Sequence, residues 1–207
     1  MQTLAAVAIA LLASAPAYAD PLRIVALGDS LTAGYGLESA EAFPAQLEAA
    51  LRKRGHDVVI VNAGVSGDTA SDGLARVDWS VEADADAVIV ALGANDALRG
   101  VDPAITRDAL DKLLARLYER GLPVLLAGML APPNMGQDYA AAFDAIYPEL
   151  AEQHGAILYP FFLEGVAARA DLNQSDGMHP NAAGVAIIVD GIVPSVEALI
   201  ARASAAN

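Results

Sequence analysis

The sequence predicts one α/β domain, in which a doubly wound, five-stranded parallel sheet carries helices on both faces in three layers (α/β/α). From Asp20 onward, short runs of Val, Ile, Leu and Ala alternate with longer amphipathic segments. Continuous apolar strands separated by helices are typical of parallel sheets buried on both faces, and right-handed crossovers place helices on either side. The chain has 207 residues, 55% of them apolar, so it is long enough to bury one sizeable core.

The five predicted strands are short apolar runs that end at glycine or at polar residues. They cover residues 22–27, 58–61, 87–92, 124–127 and 157–159. In a doubly wound sheet, ligands bind beyond the carboxyl ends of the strands, near the point where the strand order reverses. The loops that follow the strands are therefore the expected place for a functional site.

The predicted helices lie between these strands and after the last one. Leu47 and Leu51 have the i, i+4 spacing of a helix face, and Gly55 ends that helix. In the last helix, Pro194 predicts an interruption because proline removes a helical hydrogen bond. The helices are predicted over residues 41–54, 71–79, 103–120, 138–154 and 181–203.

The first nineteen residues resemble an export signal rather than a part of the fold. Residues 4–13 form an apolar run, and Ala17-Tyr18-Ala19 then offers the small residues that a signal peptidase requires. The run is too short to span a bilayer as a stable anchor. Neither Lys nor Arg lies in residues 1–19, which departs from the usual basic start of such signals. We expect residues 1–19 to be a signal peptide, residues 20–207 to be one domain, and the mature protein to be periplasmic or secreted.

Composition excludes several classes of protein. Twelve basic and 26 acidic residues give a formal net charge of −14, which repels nucleic acids and anionic headgroups. The chain contains no cysteine, so disulfides, thiolate zinc sites and cysteine nucleophiles are excluded. We expect a monomer with a small-molecule substrate, without a nucleic-acid partner or a stable membrane anchor.

Glycine-rich polar segments follow the first three predicted strands, and a fourth lies near the C-terminus. Each alone is typical of an ordinary turn, in which Asp, Asn and Ser bond to nearby backbone. The first three follow strands at the same end of a parallel sheet, which turn chemistry alone does not account for. The four segments cover residues 28–36, 62–69, 93–96 and 176–180.

The order and residues of these segments resemble the GDSL/SGNH hydrolase family, and within it the acyl-CoA thioesterase I, lysophospholipase L1 and arylesterase group. The resemblance covers nearly all of the chain after residue 19. It includes residues 28–34, 66–69, 73–76, 95–100, 145–148, 160–162 and 176–181. It implies the SGNH hydrolase version of the flavodoxin-like fold, and hydrolysis of acyl esters or thioesters without a cofactor.

By this resemblance, Ser30, His179 and Asp176 form a catalytic triad. A serine hydroxyl is a weak nucleophile that needs a base within hydrogen-bond reach, and an imidazole can take and return a proton near pH 7. A carboxylate then fixes the imidazole tautomer and stabilises the imidazolium. The family spacing of three residues between acid and base is present in Asp176 and His179.

The resemblance also assigns an oxyanion hole and a substrate cleft. The oxyanion donors are the backbone amides of Ser30 and Gly67 and the side-chain amide of Asn95. Leu74 and Met135 lie in segments that resemble the two loops flanking the family's acyl cleft. The alternative for Leu74 and Met135, weighed equally, is that they pack beneath loops.

Other polar residues are expected to be structural. His56 and His154 lie near helix ends, where a surface role is expected, while Asp29, Asp68 and Asp96 are expected to bond to loop backbone and shape the site (residues as in). His179 and Asp176 could begin a metal site, but no further cluster of ligands completes it, so we predict no metal.

Three other functions are alternatives to ester hydrolysis. A carbohydrate or acetyl-ester deacetylase could use the same scaffold, and a non-catalytic acyl-binding module could keep the fold alone. Nucleotide binding is disfavoured because neither Gly-x-x-x-x-Gly-Lys-Ser/Thr nor Gly-x-Gly-x-x-Gly follows the first strand.

Overall fold

The computed structural model describes residues 20–206. Its five strands form one parallel sheet in the order β2-β1-β3-β4-β5, which confirms the predicted fold class. The predicted signal peptide lies outside the described residues. The strands are β1 (Leu22–Gly28), β2 (Val58–Gly64), β3 (Ala87–Ala91), β4 (Val124–Ala127) and β5 (Ile157–Tyr159).

Eight α-helices and two short 3-10 helices, Ser39–Glu41 and Pro133–Met135, accompany the sheet in the described part of the chain. On one side α2 packs against α8, and elsewhere α5 packs against both α3 and α7, so the sheet lies between two helical layers. The α-helices are α1 (Ser30–Ala33), α2 (Phe43–Lys53), α3 (Ala70–Ser80), α4 (Ala94–Arg99), α5 (Pro103–Glu119), α6 (Gln137–Asp144), α7 (Ile146–His154) and α8 (Ala182–Ala206).

The core is built on the central strands. All five residues of β3 are buried, as are the four of β4, because both of their faces are covered by helices. The helices contribute their apolar faces, including Leu47 and Leu51 of α2 and Leu110 of α5. The spacing that predicted these helices thus marks their buried side.

The predicted helix over residues 138–154 is two helices in the structure. It is divided at Ala145 between α6 and α7. Pro148 explains the division, because it has no N–H to donate to the carbonyl of Asp144 and its ring crowds that carbonyl. In the first turn of α7 the missing N–H costs nothing, since it would have no intrahelical partner there.

The predicted interruption of the last helix at Pro194 is wrong, because α8 runs through this residue. Pro194 and Asp190, whose carbonyl loses its helical partner, are both exposed, so water can bond that carbonyl instead. By length and composition α8 could also cross a membrane. Its buried Ile192, Val196 and Leu199 belong to the core, so packing within the fold accounts for its apolar face.

The strand order reverses between β1 and β3, which lie side by side in the sheet although β2 intervenes in the sequence. This is the position at which doubly wound sheets bind ligands. The segments containing Ser30 and Asn95 leave the carboxyl ends of these two strands. The fold therefore brings the two segments to the same edge.

Candidate active site

Ser30 is the first residue of α1, directly after β1. The Asp29 side chain caps this helix by accepting the Leu31 N–H at 3.0 Å, which holds the turn in place. A Cβ on Gly28 would lie 2.0 Å from the Thr32 hydroxyl and 2.8 Å from the Ala91 carbonyl oxygen. Only glycine fits there, so the serine turn lies tightly against β3.

Ser30, His179 and Asp176 form one hydrogen-bonded row. The Nε2 atom of His179 lies 3.0 Å from Ser30 Oγ, and its Nδ1 atom lies 2.6 Å from Asp176 Oδ2. Both distances are within hydrogen-bond reach. The structure therefore brings together the three residues that the sequence assigned to the triad, in the geometry that lets an imidazole take the serine proton.

Asp176 accepts three hydrogen bonds within its own turn. Its Oδ1 atom accepts the backbone N–H groups of Met178 and His179, at 2.9 Å and 3.0 Å, while Oδ2 faces the imidazole. These backbone N–H groups, with the imidazole, lower the pKa of the Asp176 carboxyl to about 2. Asp176 is therefore an anion throughout the neutral range.

Gln174 ties the His179 turn to the segment that follows α1. Its side-chain amide donates to the carbonyl of Tyr35 at 2.7 Å and to that of Pro180 at 3.0 Å. Its backbone N–H donates to the His179 carbonyl at 2.7 Å. The Tyr35 ring also lies against the imidazole, with ring centroids 4.6 Å apart. These contacts fix the imidazole beside Ser30.

The two predicted backbone donors of the oxyanion hole lie in turns. Ser30 is the first residue of α1, where a backbone N–H has no intrahelical partner. Gly67 has φ +92°, a left-handed conformation that favours glycine, and its carbonyl accepts Arg99 Nη2 at 2.8 Å. Within residues 20–206, no hydrogen bond from the Gly67 N–H is found.

The side-chain amide of Asn95 already has two acceptors in this structure. Its Nδ2 atom lies 3.0 Å from the Asp68 carbonyl oxygen and 3.3 Å from Asp29 Oδ2. The first contact has ordinary hydrogen-bond length and the second is long. An oxyanion would therefore compete with Asp29 for the second N–H of Asn95.

Asp29 is a buried carboxyl beside the serine. It has no exposed surface, and burial raises its pKa to about 6, against the lowering effect of the Leu31 N–H. Asp96 is also buried, and it accepts the Ala70 N–H and the Thr106 hydroxyl. Burial raises the pKa of Asp96 as well. Asp29 and Asp96 thus accept backbone N–H groups in the first turns of α1 and α3, whereas the sequence predicted bonds to loop backbone and did not predict the raised pKa values.

Asp68 differs from that expectation, because its side chain is bound by an arginine. Arg76 Nε lies 2.6 Å from Asp68 Oδ2, and both side chains are nearly buried. Arg76, Gln174 and Tyr35 also shape the site, although the sequence did not predict these roles. The available signal for Arg76 was its place on the same helical face as Gly73 and Val77, which are buried in α3. A basic residue on a buried face needs a partner for its charge.

The other two histidines lie away from Ser30. His56 contacts Glu197 of α8 at 3.2 Å, and His154 pairs with Asp111 and stacks on Tyr118. Among residues 20–206 no group of three or more His, Asp or Glu side chains is arranged to hold a metal ion.

Leu74 and Met135 do not line the recess next to the Ser30 hydroxyl. Leu74 packs partly buried against the core, and the Met135 methyl lies 3.1 Å from the position of a Cβ on Gly100. Their contact with substrate stays a prediction. The recess is formed by Ser30, Leu31, Gly34, Tyr35, Leu37, His179, Pro180 and Val185.

Comparison with known proteins adds a family and named relatives. The GDSL-like Lipase/Acylhydrolase family matches residues 26–187. An arylesterase from Vibrio mimicus is 39% identical over 159 residues, covering 76% of this chain and 80% of that protein. The thioesterase 1/protease 1/lysophospholipase L1 of Escherichia coli K12 is 38% identical over 185 residues, covering 89% and 86%. The crystal structure of AlinE4, an SGNH-hydrolase family esterase, is 48% identical with a TM-score of 0.75, covering 88% of this chain and 98% of that one.

Proposed function

The chain belongs to the GDSL-like lipase/acylhydrolase family, and from this membership we propose that it cleaves acyl esters and thioesters with Ser30, His179 and Asp176. The resemblance to GDSL/SGNH hydrolases that the motifs predicted is confirmed. So is the broad assignment as an ester-hydrolysing serine hydrolase. The roles of individual residues and the substrates form the proposal.

The observation that carries the proposal is the 3.0 Å distance between Ser30 Oγ and His179 Nε2. In the first step His179 takes the serine proton as Ser30 Oγ attacks the substrate carbonyl carbon. Asp176 stabilises the imidazolium that forms. The tetrahedral oxyanion then collapses, and the alcohol or thiol leaves with the proton from His179. Water attacks the resulting acyl-serine by the same steps and releases the carboxylic acid.

The oxyanion is bound by the N–H groups of Ser30 and Gly67 and by the Asn95 amide. The Asn95 amide gives up its long contact with Asp29 and donates instead to the developing oxyanion, which is a stronger acceptor. Loss of one such donor slows turnover by about 10²- to 10³-fold in comparable hydrolases. Asn95→Ala is therefore expected to lower kcat by on the order of a hundredfold, as measured by steady-state kinetics.

The test of the proposal is hydrolysis of p-nitrophenyl esters by the wild type and by Ser30→Ala. We expect Ser30→Ala to lose turnover by at least about a thousandfold, because no other group replaces the nucleophile. Ser66→Ala is the matched control, since Ser66 is an exposed serine of a neighbouring loop. A fluorophosphonate should likewise label Ser30 and leave Ser66 unmodified. Full turnover by Ser30→Ala would refute the mechanism.

Esters of graded chain length separate the two enzymatic alternatives. An acyl-ester hydrolase is expected to cleave butyrate, octanoate and longer esters, whereas a deacetylase would cleave acetate and little else. Leu74→Ala and Met135→Ala test the predicted cleft in the same series. Loss of preference for long chains, with unchanged acetate hydrolysis, would support their contact with substrate.

Export of the protein is a separate part of the proposal. Ala17-Tyr18-Ala19 offers a cleavage site before Asp20, and we expect the mature protein to begin there. N-terminal sequencing of protein from the periplasmic or secreted fraction measures this directly. Recovery of the uncleaved chain in the cytoplasm would contradict it.

A further inference from the structure

The side chain of Arg76 bonds the carboxyl ends of the paired strands β1 and β2 and the loop that follows β2. Its Nη2 atom donates to the Gly28 carbonyl at 2.8 Å, and Nη1 donates to the Ala63 carbonyl at 2.9 Å and to Ser80 Oγ at 3.0 Å. Its Nε atom donates to Asp68 Oδ2 at 2.6 Å. One guanidinium therefore bonds the end of β1, the end of β2 and the loop that follows β2.

These partners are neighbours of the oxyanion donors. Gly28 is two residues before Ser30, and Asp68 directly follows Gly67. The third donor is linked through the same residue, because Asn95 Nδ2 donates to the Asp68 carbonyl at 3.0 Å. All three donors thus lie next to groups that Arg76 or Asp68 bonds, and the Val65 N–H also donates to the Gly28 carbonyl at 3.0 Å.

Burial makes the bonds between Arg76 and its partners rigid. The Arg76 and Asp68 side chains are only 7% and 12% exposed, so water does not readily replace their bonds. A planar guanidinium with donors pointing in fixed directions can bind several acceptors at once, whereas a lysine ammonium is a single point on a flexible stem. A preorganised oxyanion hole needs donors that do not move as charge develops.

We infer that Arg76 is a positioning residue for the oxyanion hole, fixing the distance between the Ser30 turn and the Gly67 loop. It touches neither the substrate nor the reacting atoms. Its effect falls on the transition state, so its loss lowers kcat while KM changes little. This inference rests on the proposed function, which assigns the three donors.

Arg76→Lys keeps the charge next to Asp68 but cannot keep the bonds to Gly28, Ala63 and Ser80 together. We expect kcat to fall by about 10- to 100-fold, below the loss of a whole donor, with KM within about threefold of the wild type. Rates are expressed per active site, counted by complete reaction with a fluorophosphonate. A merely structural role would reduce the number of sites and leave kcat per site unchanged.

The paired variant Arg76→Met with Asp68→Asn separates positioning from folding. It removes both charges, so no uncompensated buried charge remains to destabilise the fold. We expect a cooperative thermal transition, lowered only by the lost bonds to Gly28, Ala63 and Ser80, and a kcat that stays at least tenfold low. The matched control is Arg116→Met with Asp78→Asn, an exposed arginine–aspartate pair that also joins α3 to another element. It should leave kcat unchanged.

A boronic acid inhibitor gives an independent readout, because its tetrahedral adduct uses the oxyanion hole. Its Ki should rise in proportion to the loss of kcat/KM in both Arg76 variants. Wild-type kcat per site in Arg76→Lys would overturn the inference, and so would restored kcat in the paired variant. If either of these results is found while Ser30→Ala is inactive, the inference about Arg76 fails and the proposed function stands. An active Ser30→Ala would mean that the proposed function itself has failed.

Discussion

Asp176 shows how one carboxylate can set both the shape and the protonation of its neighbour. One oxygen accepts two backbone N–H groups of the turn, and the other faces His179 Nδ1. With a pKa lowered to about 2, it stays charged wherever His179 could act as a base. Loss of activity on acidification is therefore not expected to come from protonation of Asp176.

Asp176→Asn should keep the turn but reverse the imidazole tautomer. The asparagine oxygen can still accept the two backbone N–H groups, while its NH₂ group must face His179 Nδ1. The ring proton then lies on Nε2, which can no longer accept the proton of Ser30. We expect kcat to fall by on the order of 10³- to 10⁴-fold, with an unchanged circular dichroism spectrum.

Asp171→Asn is the control for this change. Asp171 is an exposed carboxylate of the same region, and it pairs with Arg169. It should keep wild-type kcat. A similar loss in both variants would show that Asp176 acts through the local fold rather than through the imidazole.

Burial of the Asp29 carboxyl lowers the free energy of unfolding by an amount that depends on pH. Its folded-state pKa is raised from 3.8 to about 6 by burial, so folding disfavours the ionised form. The cost is absent below the unfolded pKa, grows as pH rises from 4 to 6, and is constant above that range. A rise to about 6 corresponds to about 3 kcal/mol at neutral pH.

Asp29→Asn removes this titration, because an amide does not ionise. Its oxygen can still cap Leu31, so the variant should gain stability relative to the wild type as pH rises from 4 to 7, by up to about 3 kcal/mol. Urea unfolding of both proteins at several pH values measures the difference. Parallel pH profiles would contradict the raised pKa.

At the residue scale, the sequence predicted the groups with recognisable chemistry and missed those that act through geometry. Ser30, Asp176 and His179 could be named because the motifs that contain them resemble those of the GDSL/SGNH family. Gln174 and Arg76 could not, because their importance comes from carbonyl groups of remote segments, which only the folded chain brings within reach.

At the scale of elements, proline has opposite consequences in two helices. Pro148 lies in the first turn of α7, where a missing N–H costs nothing. Pro194 lies inside α8, where the Asp190 carbonyl loses its helical partner. The sequence predicted a break at Pro194 and none at Pro148, the reverse of the structure, because whether a helix divides also depends on what packs against it, as the buried face of α8 illustrates.

Replacing Pro194 should therefore stabilise the fold. Pro194→Ala restores the N–H for Asp190 and gains helix propensity, although it also loosens the unfolded chain. We expect the free energy of unfolding to rise by about 1–2 kcal/mol, as measured by urea denaturation.

Pro103→Ala is the matched control, because Pro103 occupies the first position of α5 and costs nothing there. Its replacement should change stability little or lower it slightly. An equal gain from both substitutions would contradict the role given to the Asp190 carbonyl.

The strands of the sheet could be predicted better than the boundaries of its helices. Each strand is a continuous apolar run, so burial on both faces is visible in the sequence, and residues 124–127 and 157–159 match β4 and β5. The short α1 and α4 were missed. Helices of four and six residues show too little periodicity to be recognised.

At the scale of the whole molecule, the formal net charge of −14 acts on any charged substrate. A field of this kind extends over about 30 Å at 10 mM salt but only about 8–10 Å near physiological ionic strength. It repels an anionic substrate during approach and leaves a neutral one unaffected. Acyl-CoA thioesters are polyanions, whereas p-nitrophenyl esters are neutral.

Salt should therefore affect the two substrate classes differently. From 10 to 150 mM NaCl we expect kcat/KM for an acyl-CoA to rise about threefold or more, while the value for the neutral ester stays constant. Arg99, an exposed cation bonded to the Gly67 carbonyl, is the local group that could oppose this effect. A fall in kcat/KM for acyl-CoA with salt, abolished in Arg99→Gln, would mean that local attraction at the site outweighs the net charge of the molecule.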